Sequence, residues 1–549
     1  MYSVDASGAQ LLLKYTDIFS DTIPDLKVEI SKLNMHKAVS IICELIRVRD
    51  AMLNPIQIFG GEFRLPFETI LKKELCGIKP KSPEQMLNNP LLRKDMHIIS
   101  VQMLLILLKK IIQYGNHETM DDTAYDISLE DYKKIIQLQL VVAEEIDYKH
   151  SKELDTDHFL YSTYHLNYQR NLAHEFLRVY YMMEKVSRSK KNFDIDVQNE
   201  YRDYYSDFTA KYGFTPTQYS SLLFWELSIY YSDVNGLIYA TMWRDFEKVY
   251  EKMKEKELVT RVIGTLSQTI GNYMQWVTES ENHEWDFSKF FEFPFIGDNK
   301  GNYISVCDIT LRNAFFEKIF WLIRDCYPKE DSRAMAFWGR LFEKYIQDLT
   351  HDVATGDYEY IEEFSFGKKN DKKSSDAYIR KDKNLLVVEA KGFSVLLDCM
   401  IKNESIEKNN NRMFANPIIQ ADTCLAAVID SKAEFAGVED AYIISVTIDS
   451  INAVPNYYNS VHKNIEMEKK CVKTKYYFNF NIEEYEMLMC LAERQKDIFG
   501  LLKEYYENEK LKPFSNYLLE KYSDIGMTSF METVYREASE KMKNMLFIE

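Results

Sequence analysis

Residues 374–391 read SSDAYIRKDKNLLVVEAK, and this stretch decides the fold of the part of the chain around it. Residues 377–380 have the pattern of a short strand, a polar turn follows, and residues 385–388 are apolar residues typical of a buried strand. The stretch therefore predicts a β-hairpin. Its second strand ends on Glu389 and Lys391, and charged groups at the end of a buried strand are costly unless they have partners or a chemical task.

The hairpin predicts that three charged side chains meet. Pairing about the turn places Asp376 close to Glu389, because facing residues on paired strands are only about 5 Å apart. Glu389 and Lys391 are two positions apart, so they point to the same face of the strand. Two carboxylates and one lysine in this arrangement can hold a hard divalent cation and orient a water molecule on it.

This arrangement resembles the signature of a known family. Asp376, followed after twelve residues by Glu389-Ala390-Lys391 at the end of an apolar strand, is similar to the motif of the PD-(D/E)XK nuclease superfamily, which has the restriction-endonuclease-like fold. Ser375 stands where the family has proline. The triplet alone is a weak signal, and no other such triplet in the chain follows a comparable apolar strand. The others include Asp25-Leu26-Lys27, Asp131-Tyr132-Lys133, Asp430-Ser431-Lys432 and Glu468-Lys469-Lys470.

The flanking sequence has the order of elements that the superfamily has. Residues 333–349 predict a helix with its apolar residues at helical spacing, and Glu343 lies at the edge of the apolar arc. Residues 358–366 alternate like a first strand. After the hairpin, Asn416-Pro417 is a typical helix start for a helix to residue 429, and residues 441–447 predict another buried strand. The likeness extends over roughly residues 333–494.

The resemblance implies a site and a reaction. Asp376 and Glu389, with the carbonyl of Ala390, are the implied ligands of one or two Mg²⁺ ions, and Mn²⁺ is expected to substitute. Glu343 would support the metal directly or through water, and Lys391 would lower the pKa of the attacking water or orient it. The expected activity is a Mg²⁺-dependent endonuclease or exonuclease that hydrolyses phosphodiester bonds. DNA is favoured over RNA because the superfamily mostly cuts DNA.

Basic residues next to this motif are candidates for nucleic-acid contact. Lys372 and Lys373 lie just before Asp376, and Lys402 and Arg412 lie in an Asn-rich stretch that follows the motif. Their position favours contact with phosphates, although a solvated loop accounts for the same residues equally well.

Two further features of this region are hypotheses from pattern and resemblance. The stretch from Lys402 to Phe414 is predicted to be a long loop able to close over a substrate. Gln420, on the following helix, resembles a glutamine that some branches of the superfamily place near the active site. Those branches have a tyrosine four residues later, and Cys424 stands there in this chain.

Composition predicts a mostly helical protein of two to four domains. The chain has 549 residues, 46% of them hydrophobic and 14% aromatic, with only 18 Gly and 12 Pro. The predicted fold class is α+β: a large helical N-terminal region, a restriction-endonuclease-like α/β domain with a mixed sheet flanked by helices, and a helical C-terminal extension. The expected boundaries are residues 1–195, 196–330, 331–494 and 495–549. The formal charge of −17 means that any nucleic-acid binding must use local basic patches.

Cysteine spacing and hydropathy indicate a cytoplasmic protein. The eight cysteines show neither zinc spacing nor a disulfide framework, and the N-terminus lacks the pattern of a signal peptide. The most apolar window, residues 98–108, is too short to span a bilayer and predicts a buried helix. No membrane partner is therefore expected.

The N-terminal region contains two polar features within a helical pattern. His174 and Arg178 are one helical turn apart, as are Arg170 and His174. They form either a face that binds a phosphate or partner, or a helix edge with satisfied core histidines, and the second reading is favoured. Residues 187–192, SRSKKN, are a short basic stretch with the composition of a loop.

The helical remainder is large enough for a role in substrate recognition, sensing or oligomerisation, through a homo-oligomer or a partner protein. Such an architecture is consistent with a host-defence or restriction system acting against viruses. The alternative is a non-catalytic subunit that keeps the nuclease fold and only binds nucleic acid or protein. Asp376, Glu389 and Lys391 favour the enzyme, because a site without activity has no physical reason to keep three costly groups together.

Overall fold

A computed structural model describes residues 14–19, 22–53, 99–150, 161, 171–194, 197–230, 242–369, 371–402, 404–449, 455–510 and 512–546. The chain divides into two compact units. The first draws on residues 1–169, 221–318 and 545–549, and the second on residues 170–220 and 319–544. The predicted segments are therefore distributed over two units: residues 495–544 of the C-terminal segment belong to the unit with the hairpin, and so does part of the N-terminal region.

The first unit is mainly helical. Its small sheet contains strands β1 (Ser267–Thr269), β2 (Phe295–Gly297) and β3 (Tyr303–Ser305), with β1 parallel and β3 antiparallel to the central β2. The apolar window of the sequence lies in helix Val101–Tyr114, which is almost entirely buried, as predicted. Its other helical segments are Tyr15–Ile18, Leu26–Ser31, Met35–Leu53, His117–Asp121, Leu129–His150, Phe246–Val249, Lys256–Leu266, Ile270–Glu279, Ser288–Glu292, Asp308–Asn313 and Ala314–Lys318.

The second unit combines helices with a five-stranded sheet. Five of its helices are labelled α1 (Leu172–Tyr180), α2 (Ser332–Val353), α3 (Asn416–Val428), α4 (Pro455–Glu468) and α5 (Ile482–Glu493). Its other helical segments are Tyr181–Val186, Lys190–Asn192, Val197–Asn199, Tyr204–Tyr212, Ile319–Arg324, Leu397–Ile401, Ile406–Asn410, Asn411–Ala415, Ala433–Phe435, Ile498–Glu504, Tyr505–Glu509, Phe514–Lys521 and Ser529–Leu546. Helix Pro216–Tyr230 has residues in both units.

The sheet of the second unit is mixed and contains the predicted hairpin. Its strands are β4 (Glu359–Glu362), β7 (Ala377–Lys381), β8 (Asn384–Lys391), β9 (Asp440–Thr447) and β10 (Thr474–Asn481). They lie in the order β10-β9-β8-β7-β4. The pairs β4–β7 and β7–β8 are antiparallel, whereas β9 pairs in parallel with both β8 and β10. Parallel pairing needs a crossover, and α3 lies in the connection from β8 to β9.

The central strand β8 forms the middle of the core. Leu385, Leu386, Val387 and Val388 have no exposed surface. This burial accounts for the apolar run in the sequence, because a strand with neighbours on both sides and helices packed on the sheet needs apolar residues on both faces. Helices α2 and α3 both contact β8.

Three details differ from the sequence-based expectations. The first strand ends at Glu362, and Ser365–Phe366 (β5) pairs instead with Lys372–Lys373 (β6). Asn416 does not cap a helix, because the chain is already helical through Asn411–Ala415. The stretch 402–414 is largely helical rather than a long loop.

The asparagines explain why the stretch 402–414 is not a loop. Asn409 is fully buried, and its side-chain carbonyl accepts a hydrogen bond from the backbone N–H of Leu396 at 3.0 Å. Asn411 accepts one from the side chain of Asn464 at 3.1 Å. Polar composition is misleading here because the amides are satisfied inside the fold and do not face water.

The coarse fold class is confirmed: the protein is a mostly helical α+β chain with a mixed sheet. Among the described residues, no helix combines the length and apolar character that a membrane span requires.

A buried ionic network joins three helices of the second unit. Glu486 of α5 has no exposed surface and lies 2.6 Å from His174 Nδ1 and 3.0 Å from Arg178 Nη1, both on α1. The hydroxyl of Tyr345 on α2 donates to the same carboxylate at 2.7 Å. His174 and Arg178 are therefore core residues with internal partners, as favoured from the sequence. His165 and Arg170 lie outside the described residues.

We expect Glu486→Ala to destabilise the second unit by about 3–5 kcal/mol, because it leaves Arg178 buried without its countercharge. Burial opposes ionisation of Glu486, but Arg178 and His174 outweigh it and lower the pKa to about 2 from 4.5. A lowered pKa contributes stability above about pH 4.5 that is lost as the pH falls toward 2. The penalty should therefore shrink in acid.

Urea unfolding of the full chain at pH 7 and at pH 3 measures the free energy of unfolding that Glu486→Ala loses at each pH. Glu537→Ala, which removes a solvent-exposed partner of Lys185, is the matched control and should cost at most about 1 kcal/mol. Equal losses for the two variants would contradict a structural role for the network.

Candidate metal centre

The hairpin register brings the two motif carboxylates together. The strand pairing ends at Ala377 and Val388, and the backbone N–H of Asp376 also donates to the carbonyl of Val388 at 3.1 Å. Asp376 and Glu389 are the next residues along the two strands. The N–H of Ala390 donates to Asp376 Oδ2 at 2.6 Å and fixes that carboxylate against the strand end. The β-hairpin predicted from the sequence is therefore present.

Lys391 completes the cluster. Its ammonium lies 2.8 Å from Glu389 Oε1. Asp376 and Glu389 are 8% and 3% exposed, whereas the Lys391 side chain is 20% exposed. The carboxylates therefore lie in the protein interior, and the lysine lies at the opening toward solvent.

Helix α2 places Glu343 near the end of the hairpin. Gln347, one turn after Glu343, donates its side-chain N–H to the carbonyl of Asp376 at 3.2 Å. A methyl group added at Gly392, just past the strand, would touch Gly339 and Phe342 of α2 at 3.5 Å. The helix thus packs closely on the strand end that carries the carboxylates.

Glu343 is itself held in place by a basic residue of the same helix. Arg340 Nη1 donates to Glu343 Oε2 at 2.8 Å, and Arg340 Nε donates to Glu200 at 3.0 Å. The Glu343 side chain is 20% exposed. Its negative charge acts on Asp376, Glu389 and Lys391. The structure therefore brings Glu343 into the electrostatic field of the site but also gives it an arginine partner.

Burial and like charge oppose ionisation of both buried acids. Burial, followed by the charges of Glu389 and Glu343, raises the pKa of Asp376 well above its ordinary value. Burial also raises the pKa of Glu389, against the opposing effect of Lys391. Concentrated negative charge of this kind is stabilised by a bound cation, because the cation offsets the repulsion between the carboxylates.

The same carboxylates favour the charged form of the lysine. Burial works against the charged form, but the charges of Glu389 and Asp376 outweigh it and raise the pKa of Lys391. Lys391 is therefore a stable ammonium at neutral pH, suited to orienting a water molecule or offsetting negative charge. It is unsuited to accepting a proton.

The residues present fit a magnesium ion. Across the part of the chain that the structure describes, no three or more Asp, Glu, His and Cys side chains are gathered closely enough to hold a metal. Mg²⁺ does not need such a group, since it is usually bound by one or two carboxylates and completes its shell with water and substrate phosphates. Asp376 and Glu389 supply the two carboxylates, and the carbonyl of Ala390 is the backbone candidate.

Sequence reasoning missed two polar residues that the sheet aligns with these acids. Because Glu362 pairs with Ala377, Glu363 follows in line with Asp376 at the end of β4. Ser445 of β9 pairs directly with Glu389; it is fully buried, and its hydroxyl has no hydrogen-bond partner among the described residues. Strand alternation could have identified Glu363 as a strand-end residue, but its neighbour depends on long-range pairing.

The predicted nucleic-acid contacts fall into different environments. Lys372 is exposed. Lys373 lies between Glu363 (3.5 Å) and Asp194 (3.6 Å). Lys373 is thus an ion-pair bridge, which makes it a poorer candidate for phosphate contact than Lys372.

The later candidates lie beyond the strand end. Lys402 is exposed and forms an ion pair with Asp398 at 3.3 Å. Arg412 lies over the ring of Phe393, 4.2 Å from its centroid, in the segment that directly follows Lys391. Gln420 is exposed on α3. One turn later the Cys424 thiol donates to the carbonyl of Lys373 at 3.2 Å, so this face of α3 lies beside β6.

No family model matches the sequence, and no curated protein or solved structure matches the chain. The interpretation of this site therefore rests on its residues and their geometry.

We expect Asp376→Asn to raise the melting temperature of the metal-free protein at pH 8. A pKa that is raised on folding contributes stability below the unfolded value of 3.8, and this stability is lost as the pH rises through the folded pKa. Asparagine keeps an acceptor for the N–H of Ala390 but carries no charge. The gain should therefore diminish as the pH is lowered to 5.

Thermal unfolding in EDTA at pH 8 and at pH 5 tests the expected change in the melting temperature of Asp376→Asn. Asp382→Asn, at the exposed hairpin turn with φ of +53°, is the control and should leave the pH dependence unchanged. A lower melting temperature for Asp376→Asn at pH 8 would contradict the proposed electrostatic strain.

Proposed function

We propose that the second unit is a metal-dependent nuclease with a restriction-endonuclease-like fold that hydrolyses phosphodiester bonds. The observation that carries this proposal is the end of the buried hairpin. There Asp376 and Glu389 directly flank the last strand pair, Ala377–Val388, and Lys391 lies 2.8 Å from Glu389. Three costly groups at one strand end are best accounted for by a chemical task.

The order of elements supports the same proposal. Helix α2 precedes β4, the hairpin β7–β8 follows, α3 is part of the crossover, and β9 joins β8 in parallel. This is the helix, strand, hairpin, helix, strand layout expected of the superfamily.

Each residue has a role that follows from its position. Asp376 and Glu389 would hold Mg²⁺ or Mn²⁺ together with the carbonyl of Ala390, and Glu343 would act on the metal directly or through water. The bound metal would supply a water of lowered pKa and offset charge on the phosphate. Lys391, kept cationic by its neighbours, would orient that water and offset the charge that develops on the scissile phosphate.

DNA remains the favoured substrate, because the resembled superfamily mostly cuts DNA. The helical part of the chain, more than half of it, would serve substrate recognition, sensing or assembly with a second copy or a partner protein, as in a restriction or antiviral defence system.

A second candidate is a subunit that binds nucleic acid or protein without cutting. The direct ion pair between Lys391 and Glu389 favours it, because Glu389 then has a countercharge even without a metal. In that case the cluster would be a structural ion pair at a strand end.

We expect Lys391→Ala to reduce the rate of metal-dependent cleavage by roughly 100- to 1,000-fold, as removal of one transition-state stabilising group does in other enzymes. The assay uses linear, circular and single-stranded DNA, and RNA, with Mg²⁺ or Mn²⁺. Lys383→Ala, at the exposed turn of the same hairpin, is the matched control and should cut like the wild type. Equal activity of Lys391→Ala and the wild type would contradict the role of Lys391 in orienting the water and offsetting the phosphate charge.

Metal binding separates the two candidate functions. For the nuclease we expect Mn²⁺ to raise the melting temperature of the wild type, more at pH 8 than at pH 6 because binding requires ionised carboxylates. Asp376→Ala should abolish this shift. No shift in the wild type, together with no cleavage of any polynucleotide, would favour the non-catalytic subunit.

A further inference from the structure

A basic turn from outside the nuclease-like region borders the candidate metal centre. Residues 187–192, which the sequence shows only as a short polar stretch, contain the helical turn Lys190–Asn192 in the second unit. The chain continues to Asp194, whose carboxylate lies 3.6 Å from the Lys373 ammonium. Lys191 is three residues before Asp194, and this length of chain spans at most about 11 Å.

The turn is held in a defined conformation. The side chain of Asn192 donates to the carbonyl of Val186 at 2.9 Å, and the hydroxyl of Tyr201 donates to the carbonyl of Ser187 at 3.0 Å. Phe193 then packs against Phe337 of α2, with ring centroids 4.9 Å apart. The lysines are thus presented by a packed turn, which lowers the conformational entropy lost when a ligand binds.

A second group of lysines lies on the other side of the Lys373 bridge. Lys368 and Lys369 follow β5, and Lys372 begins β6, and all three are exposed. Lys190 and Lys191 are exposed as well. None of these five has an ion-pair partner within the described ranges, in contrast to Lys373. We call the five residues the basic rim.

The basic rim adjoins the acids of the site. Lys373 connects it to Glu363, which lies in line with Asp376 across β4 and β7. Farther along the same segment, Glu200 accepts from Arg340, the partner of Glu343. Five uncompensated lysines beside buried carboxylates stand out in a chain with a net charge of −17, and they would attract a polyanion toward the metal site.

We propose that the basic rim is a binding surface for the phosphate backbone of a polynucleotide, which it guides into the metal centre. This deepens the proposed nuclease function and rests on it. Flexible ammonium groups contact phosphate oxygens without reading bases, so binding through the rim is independent of nucleotide sequence and falls steeply with salt. It also assigns to residues 187–192, in the helical part of the chain, a direct contact with the substrate.

The test compares two double variants of the full chain in an Asp376→Ala background, which prevents cutting. Lys190→Ala with Lys191→Ala removes two of the five lysines of the rim. Lys463→Ala with Lys503→Ala removes the same charge from exposed positions on α4 and helix Ile498–Glu504. Helix α4 lies by β10, the sheet edge opposite to β4, as the contact of His462 with Tyr477 shows. Helix Ile498–Glu504 begins beside Tyr358, which precedes β4 at the end away from Glu363, since the N–H of Ile498 donates to the Tyr358 hydroxyl at 3.2 Å.

Fluorescence anisotropy measures the binding of two labelled DNA duplexes of unrelated sequence, their single strands and one RNA, between 50 and 300 mM KCl. For the rim variant we expect roughly tenfold weaker binding of both sequences and a slope of log affinity against log salt that is smaller by about two. The control variant should match its Asp376→Ala parent. In an active background, the rim variant should raise KM and leave kcat unchanged.

The outcomes separate the surface from the activity. If the rim and control variants bind alike while the protein with Asp376 intact cuts with metal, the rim proposal is overturned and the nuclease proposal stands. Weaker binding of only one of the two sequences overturns a backbone-reading surface. If no polynucleotide is bound and none is cut, both proposals fall. Equal melting temperatures of the variants confirm that a binding loss is not a loss of folding.

Discussion

The register of one strand pair determines most of what is chemically distinctive in this protein. Because Ala377 pairs with Val388, Asp376 and Glu389 come together at the end of that pair, and strand alternation then places Lys391 beside Glu389. The same strand is buried on both faces, so the charges meet where water is scarce and their interactions are strong. A shift of one residue would separate the carboxylates and place the lysine on the other face.

The surrounding helices keep this arrangement in place. Helix α2 contacts the hairpin through Gln347 and is tied to α1 and α5 by the shared carboxylate Glu486. Removing the charge of Glu486 would weaken the support of α2 and with it the position of Glu343. The site therefore requires the burial of charge in two places, each of which costs free energy. Like charges are buried at its centre, and a second buried ionic network stabilises the helix that borders it.

The strand and helix order around the motif could be predicted because local patterns carry it. The apolar run 385–388, the polar turn and the helical spacing in 333–349 are each readable within a few residues. The loop predicted for the stretch 402–414 is wrong. Its asparagines have the composition of a loop, but they form hydrogen bonds inside the fold, as Asn409 does with the N–H of Leu396. The ion pairs of Lys373 with Glu363 and with Asp194 are likewise not predictable from local sequence patterns.

The sequence by itself determined the hairpin, the approach of Asp376 to Glu389 at its end and the mostly helical character of the chain, because periodicity and turn residues act over short distances. Only the tertiary structure decided which other side chains join them. Ser445 reaches Glu389 by parallel pairing after a crossover, and Asp194, just after the basic turn at 190–192, forms an ion pair with Lys373 from far along the chain. Such neighbours depend on long-range packing, and no local pattern encodes them.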